Sequence, residues 1–339
     1  MRELQMNPKH LEQMIAKSSK KHLIIIDEIQ KMPELLDEVH RNIELNKSLR
    51  FILTGSSARK LKKMGVNLLG GRATQVLFHP LSLNELTNYD GKNLNDFLLH
   101  GTLPHIVTSD EPRLDLKDYV QVYLQREVKE EALVKNFLNF SRFLDFASYT
   151  NTEILNFAAL GSDAQIPPRT VQDYYSILED TLLGKQLLPF TKTKRKAVST
   201  SKFYFFDVGV SHYLNGISQL KRNSPAYGKA LEHLIHNELR AYQSYHYAQD
   251  IELFFWRTHA GEEVDFILKD QNGITAIEVK STATPRKRDL AGLQAFKQEQ
   301  SQSNMVMLCN CSKSYVSDDI LFLNMTEFVR ALWKGDLSK

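Results

Sequence analysis

The chain has 339 residues, of which 42% are hydrophobic, with a formal net charge of +3. That length suits two or three domains of ordinary size with a sizeable core, and the charge is too small to imply nucleic acid by itself. No apolar run approaches a membrane span and no signal-peptide pattern opens the chain, so a cytoplasmic protein without a membrane partner is expected. The two cysteines, Cys309 and Cys311, would share a strand face but lack the partners of a zinc site, and buried reduced thiols are expected.

Residues 1–22 read as an amphipathic helix carrying Leu11, Met14 and Ile15, ending in the basic stretch 17–21. Leu23-Ile24-Ile25-Ile26-Asp27-Glu28 then gives four apolar residues followed by two acids. A buried parallel strand delivers such acids to the C-terminal edge of a sheet, where α/β proteins place ligands. Asp27 would hold Mg²⁺ through water and Glu28 would polarise an attacking water. The other reading is a strand followed by a helix whose first turn is acidic. Residues 33–46 form a helical pattern with Leu35, Leu36, Val39 and Ile43 on one face. Residues 49–54 read as a strand ending in Thr54-Gly55-Ser56-Ser57, hydroxyls suited to sensing a phosphate. Gly70-Gly71-Arg72 precedes another apolar strand at 74–78.

On LIIIDEIQKMPELLDEVH, FILTGSSARKL, NLLGGRA, HPLSLNEL and LLHGTLP, the chain resembles the AAA-like ATPases that carry a C-terminal DUF4143 domain. The resemblance implies ATP and Mg²⁺ as ligands of the N-terminal domain, with Asp27, Thr54, Ser56 and Arg72 at the nucleotide and Glu28 catalytic. It departs from the family at one point. No G-x-x-x-x-G-K-[ST] loop, whose N–H groups and lysine cradle the phosphates, occurs in the sequence. An N-terminally truncated member that binds ATP poorly is the expectation.

Residues 89–150 read as helical, with Arg126 either an arginine finger or a surface ion-pair partner. Residues 151–200 resemble a winged helix: helices at 152–160 and 163–166, a third opened by Pro167-Pro168-Arg169, and a basic run at 192–196. Its third helix exposes Gln172, Asp173, Ser176, Glu179 and Asp180. Acids repel phosphate, which favours a structural or protein-contact role over base reading.

From 201 onward comes a strand, FYFFD, then a long helix at 228–245 with Leu231, Leu234, Ile235, Leu239 and Tyr242 on one face and Glu232 bordering it. A strand at 251–256 follows, then two strands at 264–268 and 274–280 joined by a polar turn containing Asn272-Gly273. Asp265 lies in the first of these, Glu278 and Lys280 in the second. Alternation puts Ala276, Glu278 and Lys280 on one face, Ile277 and Val279 on the other. A carboxylate in an apolar strand is costly unless paired or metal-bound. The order resembles the PD-(D/E)xK nuclease fold. Carried over, Asp265 and Glu278 would ligate Mg²⁺ or Mn²⁺ with the Val279 carbonyl, Glu232 would support the metal, and Lys280 would position or deprotonate water. Arg286-Lys287-Arg288 would contact phosphate, and His259 reads as a surface residue.

The expected fold is α/β: an incomplete AAA-like parallel-sheet domain (1–88), a helical region (89–150), a winged-helix connector (151–200) and a restriction-endonuclease-like α/β domain (201–339). Three functional readings stay open: a nucleic-acid-linked ATPase family member with a metal-dependent nuclease-like domain, a non-catalytic module binding DNA, RNA or protein, and a decayed fragment. A homo-oligomer suits the family resemblance.

Overall fold

The computed structural model describes residues 7–16, 23–55, 73–86, 94–124, 136–191, 201–246 and 249–337. Ser56, Arg72, Arg126, the basic cluster at 59–63 and the run at 192–196 lie outside them. Two compact units result, Met1–Gln75 with Asp180–Leu182, and Val76–Glu179 with Leu183–Lys339.

The first unit contains α1 (His10–Ala16), β1 (Leu23–Ile26), a 3-10 turn at Ile29–Lys31, α2 (Leu35–Leu45) and β2 (Arg50–Leu53). The two strands are parallel, with Leu23 opposite Arg50 and Ile26 opposite Leu53. The helical spacing of Leu35, Leu36 and Val39 turns one face of α2 inward, onto Leu11, Ile29 and Met32. The expected strand at 74–78 does not form. Among the described residues, 73–79 pair with no strand, and Phe78 is almost fully exposed. The Leu77 carbonyl accepts from the Ser244 hydroxyl and the His79 N–H donates to the Tyr245 hydroxyl, so side chains take the place of a ladder partner here.

The second unit begins with short helices α3 (Leu94–His100), α4 (Pro104–Val107) and α5 (Pro112–Asp118), continued by π-type turns over Tyr119–Leu124. Then come α6 (Phe137–Tyr149), α7 (Phe157–Ala164) and α8 (Pro168–Asp180), followed by β3 (Gly184–Leu187) and β4 (Lys202–Phe205), an antiparallel pair. Ile154 bridges to Lys202. Asparagines start two of these helices: Asn136 accepts the Asn139 N–H and Asn156 the Ala159 N–H. After β4 the chain forms α9 (Val208–Leu214) and α10 (Pro225–Tyr245), the latter capped by Ser224, which accepts the Tyr227 N–H.

A six-stranded sheet follows: β5 (Glu252–Arg257), β6 (Glu263–Asp270), β7 (Gly273–Val279), β8 (Asn304–Leu308), β9 (Tyr315–Ser317) and β10 (Ile320–Leu323), in the order β5-β6-β7-β8-β10-β9. The β7–β8 and β8–β10 pairs are parallel and the others antiparallel. α10 and α12 (Met325–Lys334) supply Leu234, Leu239 and Phe328 to one core, which includes Phe266 and Ile277. α11 (Ala291–Glu299) brings Leu293 and Phe296 to the core that holds Ile267 and Ala276. Period-two alternation along β6 and β7 thus serves two layers of helices. The β6–β7 turn is tighter than the polar stretch suggested. Asp270 pairs with Gly273, and its Oδ1 accepts the N–H groups of Asn272 and Gly273.

Strand β4 is buried on both faces. Phe203 and Phe205 join the core of α6–α9, whereas Tyr204 joins that of the six-stranded sheet. Lys202, two residues from Tyr204, therefore faces the same way.

Two of the sequence motifs prove structural. In LLHGTLP, Gly101 has φ +81°, and any Cβ there would overlap the carboxylate of Asp207. Asp207, fully buried, accepts the Thr102 N–H at 2.8 Å and caps α9 through the Val210 N–H at 3.0 Å. In HPLSLNEL, the Leu83 N–H donates to the buried Glu238 of α10 at 2.8 Å, and Ser82 is bonded twice by Glu85.

Candidate functional site

The chemistry collects where the β6–β7 hairpin opens. Phe266 and Ile277 are the last regularly paired residues. Beyond them the carboxylates take over the ladder. The Val279 N–H donates to Asp265 Oδ2 at 2.8 Å, and the Asp265 N–H donates to Glu278 Oε2 at 3.3 Å. Both acids are buried, 8% and 6% exposed, which is rare for carboxylates that lack a partner. The backbone of Lys280 stays in the sheet, its N–H bonding the Leu308 carbonyl, while its ammonium pairs with Glu278 Oε1. Asp265, Glu278 and Lys280, singled out in the sequence, are thus brought together.

Glu232 comes to the same edge from α10, but it faces a partner that sequence reasoning missed. Its Oε1 accepts from the Lys202 ammonium at 3.0 Å and from the Tyr204 hydroxyl at 2.6 Å. The Lys202 side chain is only 4% exposed; it also meets Glu263 Oε1 at 2.6 Å and lies 5.6 Å over the Phe255 ring. Glu263 bonds Arg257 in turn, at 3.2 Å. The available signal was a lysine heading a strand of otherwise apolar and aromatic residues, with Tyr204 at the same-face spacing.

Burial and mutual repulsion govern the electrostatics. Burial, then the charge of Asp265, pushes Glu278 up to about 8, with Lys280 opposing. Burial also raises Glu232, against the pull of Lys202. For Lys280 burial acts downward, but Asp265 and Glu278 outweigh it and the ammonium is held more firmly than usual. Lys202 follows the same pattern: burial is outweighed by Tyr204, Glu232, Asp265 and Glu263. The ammonium of Lys280 is thus stabilised in this arrangement, the reverse of what a general base needs.

Among the described residues, no group of three or more His, Cys, Asp and Glu side chains is placed to hold a metal ion. The expected set Glu232, Asp265 and Glu278 is therefore not assembled as a cage. Glu232 is turned to Lys202 and Tyr204, and Glu278 to Lys280. The donor atoms do not fit a divalent ion as arranged.

Beside this edge lies a groove of about 650 Å³. Lys280 lines it together with Arg222, Thr282, Thr284, Arg286 and Arg288. Of the basic run expected to meet phosphate, two arginines reach the groove. His259 is exposed, as expected.

In the first unit, Asp27 and Thr54 stand at the C-terminal ends of neighbouring parallel strands. The Thr54 hydroxyl donates to Asp27 Oδ1 and accepts the Glu28 N–H at 3.3 Å. Glu28 takes a left-handed backbone, φ 55°, and its carboxylate accepts from Gln30 Nε2. Three of the five residues expected at the nucleotide thus meet at one edge; Ser56 and Arg72 lie outside the described residues.

Fold and sites describe a mixed α/β protein with a two-stranded parallel unit and a six-stranded mixed sheet. Comparison with known proteins gives three successive matches: an AAA domain over residues 1–87, a domain of unknown function (DUF8612) over 91–221, and a domain of unknown function (DUF4143) over 227–328. The N-terminal part of the chain is thus similar to AAA domains and its C-terminal part to DUF4143 domains. The middle match runs across the domain boundaries expected at 150 and 200.

Similar curated proteins include an uncharacterized protein of Mycobacterium tuberculosis (26% identical over 281 residues, 80% of this chain and 62% of the relative). Others are from Methanocaldococcus jannaschii (25% over 274 residues, 74% and 59%) and Haemophilus influenzae (21% over 286 residues, 79% and 68%). The chain spans about 62% of the length of the mycobacterial relatives it matches. No solved structure gave a significant match. No helix among the described residues is long and apolar enough to cross a membrane.

Proposed function

We propose that the C-terminal domain is a nuclease-like module that grips the phosphodiester backbone of DNA or RNA, carried by a cytoplasmic chain whose N-terminal unit is of the AAA type. One observation carries this reading. Lys280, fixed at the end of the acid-lysine hairpin, lines the same groove as Arg222, Arg286 and Arg288. Convergent cations in a concave site suit phosphate, and arginine forks match its oxygens. The Thr284 side chain adds a neutral donor.

The segment before it has the order of a winged helix: α6, the Ile154 bridge, α7, α8, then β3 and β4. Its third helix, α8, exposes Asp173, paired to Arg169, while Glu179 is paired to Lys185. That surface of paired charges suits contact with protein rather than bases. In this reading Asp27 would hold magnesium through water and Thr54 would sense a phosphate, which their contact at the strand ends supports. No phosphate-loop pattern occurs in the 339 residues.

Fluorescence anisotropy with labelled single- and double-stranded oligonucleotides tests the proposal. Salt-sensitive binding, weakened and made less salt-sensitive by Arg286→Ala with Arg288→Ala, is expected. Binding indifferent to salt and to both substitutions would remove it. Adding Mn²⁺ to the same samples tests for cleavage; cleavage abolished by Asp265→Ala would make the module a metal-dependent phosphodiesterase instead of a binder.

A further inference from the structure

We infer that Lys202 is a built-in cation that takes the place of a divalent metal among Glu232, Glu263 and Asp265, so that the C-terminal site works without metal. The inference deepens the phosphate-binding reading and is separable from it, because metal affinity and oligonucleotide affinity are measured independently.

Topology comes first. Lys202 does not belong to the six-stranded sheet. It enters from β4, whose alternation sends Phe203 and Phe205 to one core and Lys202 and Tyr204 to the acidic edge. An element outside the sheet thus delivers one positive charge into the site.

Distances come second. The Lys202 ammonium lies 3.0 Å from Glu232 and 2.6 Å from Glu263. A divalent magnesium or calcium ion draws oxygens to about 2.0–2.6 Å and needs several at once. Charged N–H···O bonds settle at about 2.7–2.9 Å. The Lys202 ammonium is thus seated within ion-pair distance of both carboxylates. Tyr204 fills another acceptor direction on Glu232 Oε1, at 2.6 Å, and the Phe255 ring covers the ammonium.

Charge comes third. Glu263 is shared with Arg257, which leaves Glu232, Asp265 and Glu278 facing Lys202 and Lys280. Two ammonium groups supply the two positive charges that one divalent ion would bring. They supply no open coordination position for water or phosphate, which a hydrolytic metal must have. The hairpin keeps the acids, and Lys202 occupies the room the ion would need.

The test uses the full chain and Mn²⁺ alone, followed by electron paramagnetic resonance of free Mn²⁺. Wild type is expected to bind none up to millimolar concentration. Lys202→Met, similar in length but uncharged, is expected to gain at least about tenfold in affinity and to be stabilised thermally by Mn²⁺, since metal bound only to the folded state adds to its stability. Lys202→Arg, which keeps the charge, is expected to remain metal-free. If Lys202→Met does not fold, the double variant with Glu263→Gln relieves one stranded acid and is read in the same way. Stoichiometric micromolar Mn²⁺ binding by wild type, lost in Asp265→Asn, would overturn the inference. So would a folded Lys202→Met chain with no gain in affinity. Oligonucleotide binding is unaffected by either outcome and fails or stands by the groove variants.

Discussion

Removing Arg286 and Arg288 together should change the salt dependence of nucleic-acid binding by a calculable amount. Three arginines line the groove, and Lys280 is left out of the count because Glu278 holds its ammonium. The Arg288–Asp289 pair, at 3.8 Å and with Arg288 largely exposed, is too weak to remove Arg288 from it. If each arginine neutralises one phosphate of a duplex, log K falls with log salt at a slope of about −2.7. Raising salt from about 50 to 200 mM then weakens binding by about 40-fold. With Arg222 alone remaining, the slope becomes about −0.9 and the same step costs about three- to four-fold. Anisotropy titrations at four or more salt concentrations measure both slopes, and circular dichroism shows that the variant is folded. A folded double variant with the wild-type slope would mean that the phosphate contacts lie elsewhere, and the groove assignment would fall.

Three further outcomes concern the framework around the site. Burial raises Glu238 from the ordinary 4.5 to about 7, against bonds from Leu83 and Trp333 that pull it down. A carboxyl raised on folding binds its proton more tightly in the native state. Its contribution is therefore intact below about pH 4.5 and is lost as pH climbs towards 7, by about 3 kcal/mol in all. Urea unfolding from pH 5 to 8 should show that fall in wild type relative to Glu238→Gln; parallel curves would contradict it. Asp207→Ala strands the buried Thr102 and Val210 N–H groups and should cost roughly 2–4 kcal/mol, measured by denaturant midpoint; a loss under ~0.5 kcal/mol would show that water replaces the carboxylate. Gly292→Ala places a methyl on the Glu263 carbonyl. The helix-propensity gain of about 1 kcal/mol is outweighed by an overpacking cost of about 1–3 kcal/mol against backbone, so a lower melting temperature is expected and a higher one would refute the contact.

What the sequence revealed follows the range over which each signal acts. The hairpin was legible because alternation and turn chemistry are local: Asp265, Glu278 and Lys280 could be placed on their strands from spacing alone. The 74–78 segment was misread because apolar character identifies a strand only when a partner strand exists, and partners are not local. Lys202 was invisible for the same reason in reverse. Its neighbours identify it as the head of a short aromatic strand, yet its meaning depends on Glu232, 30 residues on, and Glu263, 61 residues on.

This difference in range also decides how the site should be interpreted. An Asp followed by Glu-x-Lys describes two strands and says nothing about what enters from outside the sheet. Metal chemistry requires that three or more donors converge and that nothing else satisfies them. Here Lys280 satisfies one Glu278 oxygen from within the motif, and Lys202 and Tyr204 satisfy Glu232 from β4. Of the four side chains that the chain-level pattern groups together, Glu232 is thus paired in space by a fifth, Lys202, and removing that fifth residue is the perturbation that tests whether the acids are open to a metal ion.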